Sequence, residues 1–364
     1  MIRFTTSDLE IIDGLIEKNQ RFALYKMPQS DTWHFVMQRV GELVLLQDIA
    51  ALNGREGFVM APFEPSAQTP LVLLQIDQRQ LPSARELAEL EAYPCPSPEV
   101  EPRFSEAEMR ENYAACFDDF MQVLQQEEMP KLVLSRQRVE QLPPSCSLAQ
   151  TFERACKHYP NGFVYLFNTP QTGLWMGSTP EYILAGKKEN WYTVALAGTQ
   201  AFQLGKSPVW DAKNRREQDL VVQYVAEQLH QFGAHPRIVG PSTIEAGPVV
   251  HLVSQFYFKL KEQNRLGDLL QLLHPTPAVC GLPKQEAYAF ILNHENHSRK
   301  YYSGFIGELS PSTETKLFVN LRCMHIQQKS YTLYAGGGLL ASSQLESEWQ
   351  ETENKMQTMA ALFT

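Results

Sequence analysis

Short apolar runs, and apolar positions alternating with polar ones, predict strands over 22–26, 32–38, 43–48 and 71–75. Apolar residues spaced three and four apart predict helices over 83–93, 105–127, 148–158, 211–232 and 347–362. Further strand-like runs lie at 131–140, 163–168, 174–177, 250–261 and 316–326. Tyr93-Pro94-Cys95-Pro96-Ser97-Pro98, followed by Pro102, cannot hold a helix or a central strand, so it reads as a loop or linker. Runs of strands with unevenly placed helices predict an α+β fold rather than a repeating βαβ unit. Residues 1–104 read as an N-terminal subdomain of that fold, and 105–364 as its larger remainder.

Composition narrows the function. The chain has 364 residues, 43% of them hydrophobic, enough for a sizeable core. Its formal charge is -9 and it has no Lys/Arg-rich run, so no nucleic-acid partner is expected, because a phosphate backbone needs a positive footprint. A small anionic substrate would need its cations gathered locally. Residues 1–15 lack a basic segment followed by an apolar run, and no stretch approaches a membrane span. The six cysteines are scattered without paired spacing and read as buried thiols. A cytoplasmic protein with no membrane partner is expected.

Several polar residues sit where apolar ones would be ordinary. Glu217 lies three, four and seven positions before Leu220, Val221 and Tyr224 and shares their apolar face, whereas Gln218, Asp219, Gln223 and Glu227 fall on the other. A buried carboxylate must find a cation or a proton; a first-turn glutamate favoured by the helix dipole fits the same spacing. Glu348, Glu351 and Lys355 form a helical stripe that reads equally as a surface ion pair or as oxygen ligands for a hard divalent cation. Lys131 opens a strand with Val133 and Ser135 on its side and Leu132 and Leu134 on the other. Burial in general disfavours an ammonium, which makes such a lysine a candidate base, although a strand-end lysine reaching solvent is commoner. Glu181 follows the turn Gly177-Ser178-Thr179-Pro180, and Arg322 falls inside an apolar strand, which suggests a buried anion partner. His294-Glu295-Asn296-His297 lacks the spacing for two imidazoles on one helical face. Gly336-Gly337-Gly338 lacks the ending of a phosphate loop but lets a ligand approach the backbone closely.

Taken in order, these segments resemble the chorismate-utilising enzymes, the family of isochorismate, salicylate, anthranilate and aminodeoxychorismate synthases. The resemblance is carried by Lys131-Leu-Val-Leu-Ser-Arg136, Gly177-Ser-Thr-Pro-Glu181, Ala197-Gly-Thr199 and Asn214-Arg-Arg-Glu-Gln218. It continues through His274-Pro-Thr-Pro-Ala-Val-Cys-Gly-Leu-Pro283, Arg299-Lys-Tyr-Tyr-Ser-Gly304, Leu321-Arg322, Tyr334-Ala-Gly-Gly-Gly338 and Glu348-Trp-Gln-Glu-Thr352 with Lys355. Each block alone is weak; their number and order are specific.

The resemblance implies an anthranilate synthase component I-like fold, a large two-subdomain, sandwich-like β core with helices outside and the site between its halves. It implies Lys131 as the base for water attacking C2 of chorismate and Glu181 as the acid for the departing C4 hydroxyl. It implies Glu217, Glu351 and Glu348, directly or through water, as holders of Mg²⁺. Arg322 and Lys355, with Thr199 and the backbone at Gly338, would bind a substrate carboxylate, and His274 would line the site near the ring. Lys131, and Ala197 where aminodeoxychorismate synthases carry lysine, point to water as nucleophile and to no glutamine amidotransferase subunit. Ala278-Val279 resembles isochorismate synthase, where salicylate synthase carries Thr-Ala. The implied enzyme is a monomeric, Mg²⁺-dependent isochorismate synthase, an isomerase serving menaquinone or siderophore formation. The rival expectations are a salicylate synthase and a non-catalytic chorismate-binding relative. Glu308 stands where many relatives have an aromatic residue, and the resemblance gives it no role.

Overall fold

The computed structural model describes residues 3–95, 103–202, 205, 208–246 and 249–363; most of the proline-rich segment, 96–102, lies outside them. The strands form two antiparallel sheets. One has eight strands in the order Gly281–Leu282, Lys131–Gln141, Ser330–Leu339, Cys323–Ile326, Gly173–Thr179, Phe163–Thr169, Phe22–Lys26 and Trp33–Met37. The other has nine: Arg237–Ala246, Val249–Lys259, Asn190–Ala201, Tyr182–Lys187, Thr315–Val319, Phe305–Leu309, Gly57–Ala61, Leu71–Leu74 and Val44–Leu46. The first hundred residues thus contribute strands to both sheets. The architecture is the expected α+β.

Each sheet has an outer face covered by helices and an inner face turned to its partner. Helices Thr6–Glu17 and Leu148–His158 cover the eight-stranded sheet through Ile12, Leu15, Phe152 and Ala155. Ala212–Gln231 and Leu266–Leu273 cover the nine-stranded sheet through Val221, Val225, Leu269 and Leu270. Between the sheets lies an aromatic core that includes Tyr25, Phe58, Phe163, Tyr165, Trp175 and Phe318. Phe163 of one sheet stacks on Phe318 of the other with centroids 4.2 Å apart, a contact worth about 0.5–1.5 kcal/mol beyond its buried area. Among the described residues no helix is long and apolar enough to cross a membrane. All six cysteines are free thiols.

Local signals account for most helix boundaries. Ser83 with Glu86 and Ser105 with Glu108 form reciprocal capping boxes at the starts of Ala84–Glu89 and Glu106–Gln125. The helix expected over 83–93 stops at Glu89, because Leu90 is extended and Pro94 follows. The single strand expected over 316–326 is two strands in different sheets, Thr315–Val319 and Cys323–Ile326. The hydrophobic run is continuous there, but Asn320 donates to the Tyr301 carbonyl and accepts the Tyr165 hydroxyl, and Arg322 takes a φ of +44°. The chain therefore bends across the gap between the sheets. Arg322 sits on that crossing rather than inside a strand.

Glu308 acquires a role. It accepts the Tyr25 hydroxyl at 2.8 Å from the opposite sheet and pairs with Arg79 at 2.5 Å, so it clasps the two sheets away from the cavity described below. Burial, then the Glu308 carboxylate, push the Tyr25 phenol well above its usual range. Glu308→Ala should leave that buried hydroxyl unsatisfied and lower unfolding free energy by about 1–3 kcal/mol, measured by urea unfolding at unchanged slope.

Candidate active site

Beside the aromatic core lies a narrow cavity of about 60 Å³. Glu181, Thr199, Glu217, Ala278, Val279, Arg322, Gly338 and Lys355 line it, together with Val133, His251, Tyr302 and Tyr334. The two sheet-switching segments supply the acid and the guanidinium. Pro180 and Glu181 join Gly173–Thr179 to Tyr182–Lys187, and residues 320–322 make the return crossing. The crossings are tied together: Ser178 N–H donates to the Arg322 carbonyl at 3.1 Å and Val319 N–H to the Glu181 carbonyl at 2.8 Å.

A bulge shapes the opposite wall. The strand Asn190–Ala201 slips register between Ala197 and Thr199, with Gly198 at φ +66°. Three successive N–H groups turn from the ladder to the first turns of helix Ala212–Gln231. Ala197 donates to Gln218 Oε1 at 2.8 Å, Gly198 to Glu217 Oε2 at 3.3 Å and Thr199 to Asn214 Oδ1 at 2.9 Å. Two of the sequence blocks are halves of this one joint. Gln218, expected on the polar face, is instead buried, because it also donates to the Ala195 carbonyl and Ser254 Oγ.

The third wall is the glycine strip. Cys323–Ile326 pairs with Ser330–Leu339 only along residues 331–333, so among the described residues 334–339 have a strand partner on one side alone. Polar side chains of helix Leu345–Ala360 reach this open backbone, and Lys355 Nζ donates to the Gly336 carbonyl at 2.8 Å. A Cβ on Gly338 would overlap Glu217 Oε1 and fall 3.2 Å from Lys131 Cε. One on Gly337 would fall 3.1 Å from Glu348 Oε2 and 3.5 Å from Glu351 Oε1. All three glutamates therefore gather around two adjacent glycines. Arg136, stacked on Trp349 and bonded to Thr352 and Glu353, fixes the helix that carries two of them.

Each glutamate has a lysine. Lys131 Nζ lies 2.8 Å from Glu217 Oε1, out of alignment for a hydrogen bond, so the contact is an ion pair. Glu351 Oε1 accepts Lys355 at 2.7 Å, and Glu348 Oε1 accepts Lys213 at 2.5 Å. Burial pushes Glu217 up, but Lys131, Lys213 and Lys355 together hold its carboxyl below the usual range. Glu348 goes the other way, raised by burial and by the Glu351 charge. Its Oε2 is buried without a hydrogen-bond partner. Three carboxylates, an orphaned carboxylate oxygen and a cradle that only glycine leaves open suit a hard, oxygen-seeking divalent cation. As the side chains stand, drawn to their lysines, no metal-binding group of three is formed among the described residues.

Glu181 is the exception among the acids. Burial pushes its carboxyl up to about 8, against the nearby charges of Lys131, Arg322 and Lys355, so at neutral pH it is a carboxylic acid. Burial also lowers Arg322 to about 10, which leaves it charged.

His274 does not line the cavity, contrary to expectation, and Lys131, Glu348 and Glu351 are likewise outside its lining. The His274 ring lies in the core, with Nε2 3.2 Å from the Phe63 carbonyl and its edge toward Phe305, and burial lowers it to about 3. The imidazole that does face the site is His251, which the sequence reading missed because a lone histidine in a strand carries no spacing signal. Its Nδ1 lies 3.1 Å from the Gly198 carbonyl and its Nε2 meets the Arg322 guanidinium. Burial, then Arg322 and Lys355, keep it neutral, so Nδ1–H donates to Gly198 and Nε2 accepts from Arg322. Glu295, from the discounted histidine stretch, is a clamp. It holds Arg299, which donates to the Val279 and Val133 carbonyls and so fixes the Ala278–Val279 wall to the strand of Lys131.

Residues 63–364 match the family model described as chorismate binding enzyme, and the chain belongs to that family. Among its relatives, isochorismate synthase MenF of Escherichia coli (strain K12) is 35% identical over 198 residues, covering 52% of this chain and 45% of that protein. Isochorismate synthase EntC of the same strain is 29% identical over 214 residues, 56% of this chain and 55% of that one. The matched stretch thus spans about half the length of these relatives. A solved structure described as a putative 2,3-dihydroxybenzoate-specific isochorismate synthase, DhbC, from Bacillus anthracis shares the fold at TM-score 0.77 and 21% identity, over 96% of this chain and 98% of that one. Anthranilate synthase component I from Streptococcus pneumoniae TIGR4 shares it at 0.64 and 17%, over 93% and 92%.

Gln218→Leu should strand the Ala197 N–H and the Ala195 carbonyl in the core. A loss of about 2–4 kcal/mol is expected, measured by denaturant unfolding.

Proposed function

We propose that the chain is an isochorismate synthase that interconverts chorismate and isochorismate with water as nucleophile. The observation that carries the reading is a buried Glu181 in a narrow cavity lined by Arg322 and Lys355, beside three clustered glutamates. The names of its relatives point the same way.

A diacid substrate needs cations in place of its lost water. Arg322 and Lys355, both cavity-lining, would bind one carboxylate, with Thr199 and the Gly338 backbone completing the contact. His251 would keep the guanidinium aimed. Hydroxide is a poor leaving group, and Glu181 would give the departing C4 hydroxyl its proton. Lys131, whose Nζ is buried beside the cavity-lining Glu217, would take the attacking water's proton in its neutral amine form, after giving up the proton of its ion pair. Glu217, Glu348 and Glu351 would hold Mg²⁺, which when bound neutralises and orients the ring carboxylate. Ala278 and Val279, which line the cavity and resemble the pair of isochorismate synthases, favour release of isochorismate over pyruvate elimination. In the reverse reaction Glu181 and Lys131 exchange roles.

Incubation with chorismate and Mg²⁺, followed by chromatography with and without a chelator, tests the reading. Isochorismate formed only with the metal is expected; salicylate and pyruvate would mark a salicylate synthase, and no turnover a binding protein. Glu181→Gln and Lys131→Ala should each lower kcat by about 10²–10⁴-fold, and an active Lys131→Ala would remove the base assignment. Glu217→Gln or Glu351→Gln should abolish metal-dependent turnover while circular dichroism stays unchanged. Because Glu181 must be protonated to act, kcat/KM should fall as pH rises through about 8, approaching tenfold per unit above it.

A further inference from the structure

The scheme above uses two of the three lysines that neutralise the glutamates. Lys213 is left over. It does not line the cavity, yet it enters the cluster from the first turn of helix Ala212–Gln231 with Nζ 2.5 Å from Glu348 Oε1. Its side chain is 27% exposed, against 1% for Glu348, 0% for Lys131 and 16% for Lys355. It is the lysine of the three with the readiest path to water. The charges of Glu217 and Glu351 also act on its ammonium.

We propose that Lys213 is a built-in counter-cation, which occupies Glu348 when no metal is bound and is displaced toward solvent when Mg²⁺ binds. This rests on the reading that Glu217, Glu348 and Glu351 hold the metal. Like charges side by side in a buried cluster are unfavourable. Without a cation, Glu348 and Glu351 would face one another with one neutralising lysine between them. Lys213 supplies the missing charge. A divalent ion entering the same cluster would be repelled by that ammonium, so the two must compete for Glu348. Lys213 thereby weakens metal binding and stabilises the metal-free fold. It is a positioning residue for Glu348, and it touches no reacting atom.

Titration calorimetry with MgCl₂ alone, on the whole chain without substrate, tests the competition. Lys213→Met should bind Mg²⁺ about tenfold more tightly than wild type, and its metal-free Tm should fall by several degrees. Lys213→Arg, which keeps the charge, should stay within about threefold of wild type. In a Glu348→Gln background the effect of Lys213→Met should vanish. A readout on wild type alone does not depend on any variant folding: acylation of Lys213, followed by mass spectrometry, should rise several-fold when Mg²⁺ is added. If wild type binds Mg²⁺ but Lys213→Met binds no tighter, or Lys213 acylation does not change, the competition is overturned and the metal reading stands. If neither wild type nor Lys213→Met binds Mg²⁺, the metal reading itself falls.

Discussion

An ammonium or a carboxylate held between two apolar sheets loses its water, and it persists only beside an opposite charge or in its neutral form. This chain meets that constraint several times within one small volume. Lys131 is neutralised by Glu217, Lys355 by Glu351 and Lys213 by Glu348. The pairing requires backbone close enough for the side chains to meet, which is why Gly337 and Gly338 face them and no Cβ stands between. It also requires a helix start that can present Glu217 inward, and the bulge at Gly198 provides it by handing three N–H groups to that helix's first turns.

The position of the cavity follows from the topology. Stacked aromatic rings fill much of the space between the sheets, and the Glu308 clasp ties the sheets together outside the cavity lining. At the cavity the chain twice leaves one sheet for the other, and a strand that changes sheets cannot continue its ladder. Its backbone groups find each other instead, Ser178 with Arg322 and Val319 with Glu181. The side chains at the two crossings point into a space that no ladder fills. Acid and guanidinium are thus held by main chain on both flanks, which gives rigid placement without a loop.

Much of this was legible in the sequence. The helices over 105–127, 148–158, 211–232 and 347–362 were recoverable because each is long and periodic, and the α+β class followed from their uneven spacing. The anomalous glutamate on an apolar helix face does lie buried beside a buried lysine. What escaped has physical causes. The fork at residues 320–322 is invisible in hydropathy, because the run stays apolar while the partner sheet changes. Tyr182–Lys187, Asn190–Ala201 and Arg237–Ala246 were overlooked because their mixed composition lacks clean alternation. Helix Thr6–Glu17 had its capping box, Thr5 with Asp8, in plain view. Lys213 and His251 matter through partners 135 and 71 residues away, and no local window records such distances.

The charge pattern also explains how one carboxyl stays protonated among cations. Lys131, Arg322 and Lys355 all act to ionise Glu181, and in isolation any one of them at close range would be expected to succeed. Burial outweighs them, and each is also drawn to another partner. Lys131 is drawn to Glu217, Lys355 to Glu351 and the Gly336 carbonyl, and Arg322 to the neutral ring of His251. Burial then decides the outcome for the one acid with no cation of its own. On the proposed reading, the three glutamates beside the cavity would do more than seat a metal. By engaging the lysines, they would leave Glu181 neutral and able to donate a proton.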